Sequence, residues 1–199
     1  MKKLLVPAAA GIIVGVITLI GQRYLPINLN FLANSGAVWL VPAFLLSFFF
    51  REDAKISITT AIICLLGCVS GYYVSEAIFN QHPLTFSKGI LIWSIIALAA
   101  GAVFGIGANW ANTKSNPLKY CGMNLLPAVF VAEGVDEILH ISDYSHMIPA
   151  VVLKIAIGIA LYIIINRRLS LKGISLACFI GFSVLGVVVY MVLGSRVLV

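Results

Sequence analysis

The sequence predicts an all-α, polytopic transmembrane helical bundle, and three observations carry that prediction. Mean hydropathy is +1.08, and 61% of the residues are hydrophobic against 10% charged. The apolar residues fall in runs of about 20, the helical length that crosses a hydrocarbon layer of roughly 30 Å. The connections are too short to hold a soluble domain, so residues 1–199 read as a single transmembrane domain.

Seven runs follow in order. Leu4–Gly21 opens the chain behind Lys2 and Lys3. It is longer than a signal-peptide core and no polar, small-residue cleavage region follows, so it reads as a retained first span. Gly36–Phe50, Ile56–Phe79 and Gly89–Trp110 come next. The fifth run, Met123–His140, is apolar apart from a short polar set that includes Glu133, Asp136, Glu137 and His140. Met147–Ile165, which contains Lys154, and Ile174–Leu193 complete the set.

Basic residues orient the bundle, because Lys and Arg near span ends concentrate on the cytoplasmic side. With the N-terminus inside and seven spans, Lys2, Lys3, Arg51, Lys55, Lys114, Lys119, Arg167, Arg168 and Lys172 lie inside. Only Arg23, Lys88 and Arg196 lie outside, a ratio of nine to three. If the fifth run failed to cross, the last segments would invert and the ratio would fall to seven against five. Seven spans with an outside C-terminus are therefore expected. Trp39 and Trp93 then fall in the outer aromatic belt and Trp110 in the inner one.

Small residues recur every four positions: Gly11 and Gly15; Gly67, Gly71 and Ser75; Ala97, Gly101 and Gly105. Such faces let helix backbones approach closely in lipid, within one chain, in a homo-oligomer or against a membrane-protein partner.

The orientation gathers the acidic and imidazole groups on the outer side. His82, His140, His146, Glu76, Asp136, Glu137 and Asp143 fall at or near that boundary, whereas Glu52 and Asp53 face inward. Glu133, Glu137 and His140 share one helix face at i, i+4, i+7. Glu133 and Lys154 each come out roughly 10 Å below the outer boundary on consecutive antiparallel spans. A Glu133–Lys154 ion pair is expected, since two separate charges in lipid cost more than a paired one. Glu137 and His140 form an ExxH spacing that offers two ligands to a metal ion, without the second motif of a dimetal bundle site. Tyr72 and Glu76 share a face at the end of the third span, beside Tyr73. The two tyrosines read either as ordinary outer-belt residues or, with Trp39 or Trp93, as an aromatic wall for a flat or cationic ligand. The first outer loop, Gln22 to Ser35, mixes apolar and amide side chains and suits a lid or interfacial segment.

Several classes are excluded or unsupported. The net charge of +6 follows from membrane orientation, and no basic run is interleaved with aromatics, so nucleic acid is not an expected partner. GxSxG, HExxH, GxxxxGK[ST] and the Rossmann glycine pattern are absent, and no cofactor is expected. Cys64, Cys68, Cys121 and Cys178 match neither CxxC nor a zinc spacing and read as free thiols.

At GQRYLP (Gly21–Pro26), LANSGAVW (Leu32–Trp39), GYYV (Gly71–Val74), GAVFGIGANW (Gly101–Trp110) and AEG (Ala132–Gly134), the chain resembles an uncharacterised bacterial multi-pass membrane family, a domain of unknown function. That resemblance implies a bacterial inner-membrane protein and supplies no catalytic residues. A looser likeness is to the substrate-binding subunits of energy-coupling-factor transporters, which are small, N-inside and bind substrate near the outer face beneath a first-loop lid.

The functional reading from sequence is recognition or transport of a small polar or cationic solute through an outward-facing site. Glu133 and Glu137 would bind charge, Lys154 would balance it, and Glu76, Tyr72 and Trp39 would complete the wall, in a water-accessible pocket. One rival is a non-transporting immunity, regulatory or assembly subunit that docks a partner through small-residue faces. A second is an intramembrane enzyme using Glu133, Glu137 and His140 for acid–base chemistry. The topology is open to cysteine-accessibility labelling in intact cells. Position 143 and the C-terminus should label from outside and position 170 only after permeabilisation; outside labelling at 170 would rule out seven spans.

Overall fold

The computed structural model describes residues 2–26, 28–33, 35–50, 53–85, 87–114, 116–144, 147–167 and 171–197. His146, Arg51, Glu52, Arg168 and position 170 lie outside them. Helix is the only regular secondary structure among the described residues, with no strand. In chain order the helices are α1 (Lys2–Tyr24), α2 (Asn30–Ala33), α3 (Gly36–Phe49), α4 (Ala54–Phe79), α5 (Lys88–Ala111), α6 (Asn116–Leu139), α7 (Ile141–Tyr144), α8 (Ile148–Asn166) and α9 (Lys172–Val197). Seven are long, and α2 and α7 are single turns.

Five helices, α1, α4, α5, α8 and α9, are long and apolar enough to cross a membrane. α3 is apolar but has 14 residues, about 21 Å of rise. α6 has 24 residues and carries the acidic groups. It begins seven residues before the expected start of the fifth span at Met123, because the segment around Tyr120 supplies buried packing as well as polar surface. Tyr120 is 2% and Asn124 0% exposed, one turn apart on the same face.

The chain divides into two compact units. The first holds residues 1–25 and 32–109, and so α1, α3, α4 and α5. Here α4 packs against α1 and α3. Asp53 caps α4 by accepting a hydrogen bond from the Ile56 amide (2.8 Å), and Ser35 caps α3 through the Val38 amide (3.3 Å). Ser47 Oγ donates to the Ser57 carbonyl (2.9 Å) and Ser57 Oγ to that of Ser47 (3.4 Å), which pins α3 to α4. The α1–α4 seam is made by glycine. A Cβ at Gly15 would lie 2.2 Å from the Cys68 carbonyl oxygen, and one at Gly71 2.3 Å from that of Ile12. Gly11 and Gly67 lie in the same seam, and Gly101 and Gly105 bring α5 equally close to Ile62 and Ile58 of α4. The small-residue faces of these helices are filled by contacts within the chain.

The second unit holds residues 26–31 and 110–199. In it α6 is central and packs against α8 and α9. Residues 57 apart meet at two levels: Cys121 with Cys178 and Glu133 with Tyr190. α6 and α9 therefore run parallel in one register, and α8 runs against them. Tyr162 of α8 stacks on Phe179 of α9 at 4.4 Å between ring centroids.

The seam explains what the α1–α4 glycines are for. Gly15→Val should lower the thermal stability of the detergent-solubilised protein by about 1–3 kcal/mol through overpacking. Gly181→Ala, where a Cβ meets nothing within 4 Å, is the control and should be close to neutral. Equal melting temperatures for the two variants would contradict the seam.

Candidate functional site

The first unit carries an aromatic cleft at the end where α1 and α4 finish and α3 and α5 begin. Its lining is Gln22, Ser35, Gly36, Trp39, Tyr72, Tyr73 and Trp93, around an inner volume of about 100 Å³. Trp39 is central. Its ring lies 6.5 Å from that of Tyr72 and 5.9 Å from that of Trp93, each tilted by about 50°, and Tyr72 meets Tyr73 edge-on at 5.2 Å. The helices fix these rings through their polar tips. Trp39 Nε1 donates to Thr18 Oγ1 of α1 (2.8 Å), and the Tyr72 hydroxyl donates to Gln22 Oε1 (2.8 Å). Gly36 leaves one wall without a side chain. Nearby, the Arg23 guanidinium donates to Asn80 Oδ1 and covers the Phe79 ring, 5.0 Å from its centroid. Glu76 follows Tyr72 by one turn of α4.

The second unit carries a buried ion triad. Lys154 Nζ donates to Glu133 Oε1 and to Glu137 Oε1, both at 2.6 Å, and its side chain is 1% exposed. Glu133 Oε2 accepts from the Tyr190 hydroxyl of α9 at 3.2 Å. The expected Glu133–Lys154 pair is present, enlarged by two partners that depth counting did not anticipate. Small residues bring the three helices together here. A Cβ at Gly158 would lie 2.7 Å from the Pro127 carbonyl oxygen, drawing α8 onto α6 one turn from Lys154. A Cβ at Gly186 would lie 2.6 Å from the Ala132 Cβ, drawing α9 onto α6 one turn from Tyr190. Two carboxylates share one ammonium, so the triad has a formal charge of −1. Glu137 Oε2 is buried without a hydrogen-bond partner among the described residues, as is Asp136 Oδ1.

The six residues singled out from sequence divide between the units. Trp39, Tyr72 and Glu76 belong to the first; Glu133, Glu137 and Lys154 belong to the second. The cleft is lined wholly by first-unit residues. Glu133 is 5% exposed and both its carboxylate oxygens are engaged. Glu133 and Glu137, expected to share a pocket with Tyr72, belong to the other unit. Glu137 and His140, offered as a metal pair, turn to different partners. Glu137 binds Lys154, whereas His140 Nδ1 lies 2.9 Å from the Asp136 carbonyl oxygen and 3.7 Å from its carboxylate. No group of three His, Cys, Asp or Glu that could hold a metal ion occurs among the described residues.

Sequence reasoning missed Tyr190, Gln22, Thr18 and Asn124. Asn124 Nδ2 donates to the Tyr120 carbonyl and to Ser175 Oγ, each at 2.7 Å, and the Leu171 amide donates to the Tyr120 hydroxyl at 3.0 Å. Tyr190 interrupts an aliphatic stretch of the seventh run, but its pairing with Glu133 shows only once α9 is placed beside α6.

The triad ranks its own substitutions. Lys154→Met strands two carboxylates and should cost about 3–5 kcal/mol in denaturant unfolding from micelles. Glu137→Gln removes the surplus charge and should cost least, with Glu133→Gln between them. A Glu137→Gln cost as large as that of Lys154→Met would refute this charge count.

No curated protein and no solved structure matches the chain. Residues 1–195 match the model of a family of unknown function, DUF6518, and the chain belongs to that family.

Proposed function

We propose that this protein is a seven-span, N-inside protein of the bacterial inner membrane that recognises a small organic cation in the aromatic cleft of its first unit. One observation carries the reading: four aromatic rings from three helices surround an inner volume of about 100 Å³. Drug-sized ligands occupy pockets of roughly 300–1000 Å³, so the cleft suits a single compact group. Ring faces attract cations through their quadrupoles, and Trp does so most strongly. Two acceptor atoms bordering the cleft are already engaged, Gln22 Oε1 by Tyr72 and Ser35 Oγ by the Val38 amide. That favours a cation with few N–H groups to satisfy, a methylated ammonium above a primary amine. The expected orientation opens the cleft outward, where Glu76 adds a carboxylate near its mouth.

In this reading Glu133, Glu137 and Lys154 serve the second unit as a strut, and transport is a further step that the cleft alone does not require. The partner-docking alternative has less support, because the glycine faces it would use are filled within the chain. The acid–base alternative requires Glu133 to be accessible, and it is 5% exposed. The likeness to energy-coupling-factor subunits carries no weight here.

Tetramethylammonium is the probe, read by tryptophan fluorescence in lipid nanodiscs, since two of the three tryptophans border the cleft. A saturable change should appear that sodium chloride at equal ionic strength does not produce. Tyr73→Leu, which keeps both cleft tryptophans, should weaken binding by about 1–2 kcal/mol, roughly 5- to 30-fold. An unsaturable response, or one that sodium reproduces, would overturn the proposal.

A further inference from the structure

We propose that Cys121 and Cys178 are a disulfide-forming pair that locks α6 to α9. The two Sγ atoms stand 2.9 Å apart on different helices, and both side chains are partly exposed. The other two cysteines, Cys64 and Cys68, are 0% exposed in the first unit. A disulfide bond is about 2.05 Å long, so closure needs a shift of less than ~1 Å. The register is already held on both sides. Beside the pair, Asn124 binds Ser175 across it and the Leu171 amide binds Tyr120; toward the helix ends, Tyr190 binds Glu133. The thiols therefore face each other because the parallel packing brings them there. None of these groups takes part in the cation site.

The chemistry is thiol–disulfide exchange with a small-molecule disulfide as oxidant. Cys121 Sγ loses its proton and attacks one sulfur of the oxidant, whose S–S bond breaks to release one thiolate and leave a mixed disulfide on Cys121. Cys178 Sγ, likewise deprotonated, attacks the Cys121 sulfur and displaces the second thiolate. Two protein thiols are oxidised to one disulfide. The two released thiolates carry the two electrons and take up the two protons. In the proposed orientation the pair lies toward the cytoplasm, where low-molecular-weight thiols reverse the reaction and keep it a dithiol until an oxidant appears. The site is a reversible redox modification.

The test treats the full-length protein in nanodiscs with oxidised glutathione, then denatures it, alkylates it with maleimide and measures its mass and linked peptides. Two of the four cysteines should escape alkylation, a peptide joining Cys121 to Cys178 should be recovered, and dithiothreitol should restore all four thiols. Cys178→Ser should instead retain one glutathione on Cys121, because the resolving sulfur is gone. The oxidised protein should melt at a higher temperature than the reduced one. Four alkylated thiols in the treated wild type, a Cys64–Cys68 link in its place, or a persistent glutathione adduct on the wild type would each overturn the proposal.

Discussion

Lipid offers helices no hydrophobic force for association, since the tails are as apolar as the side chains they would release. This chain answers with close backbone approach at glycine and with polar groups that satisfy one another across helices. In the first unit the glycine seam of α1 and α4 lets carbonyls and Cα atoms touch where any side chain would intrude. In the second, a few small residues set α8 and α9 against α6, and Lys154, Glu133, Glu137 and Tyr190 fill the space they leave. The large apolar residues mostly point outward. Ile12, Ile13 and Ile17 of α1, and Val184, Leu185 and Val188 of α9, are all exposed. That is the inverse of a water-soluble core, and it is what a lipid-facing surface requires.

The helix pattern was legible because length and hydropathy are local properties. All seven expected spans correspond to long helices, with ends displaced by a few residues except at α6. There the polar segment around Tyr120 hid an extra two turns, since its burial depends on Ser175 and Leu171, some fifty residues away. The same distinction governs the sites. Glu133 and Lys154 could be paired from sequence, because neighbouring antiparallel spans turn distance along the chain into depth. Tyr190 could not be assigned to them without knowing that α9 lies beside α6. The cleft was half legible. Trp39, Tyr72, Tyr73 and Trp93 were visible as belt residues, but Thr18 and Gln22, which set the Trp39 and Tyr72 ring tips, are ordinary polar residues until the helices meet.

The two polar centres differ in what they can do for a ligand. A charged solute entering the triad would have to displace hydrogen bonds of 2.6 Å from a lysine that is 1% exposed. Removing that partner leaves buried charge uncompensated, a penalty of about 3–5 kcal/mol before any new contact forms. The triad is therefore a poor receptor and a good strut. The aromatic cleft has the opposite balance. Two of its rings, Trp39 and Tyr72, are held by bonds at their polar tips, so a cation against the ring faces would gain quadrupole attraction without displacing those bonds. Preorganisation at these tips is what allows a weak interaction of this kind to appear as affinity, because little ordering remains to be done on binding. Specificity would then follow from hydration: a compact, strongly hydrated ion loses more water on entering an aromatic site than the rings return, whereas a methylated ammonium arrives already clothed in carbon.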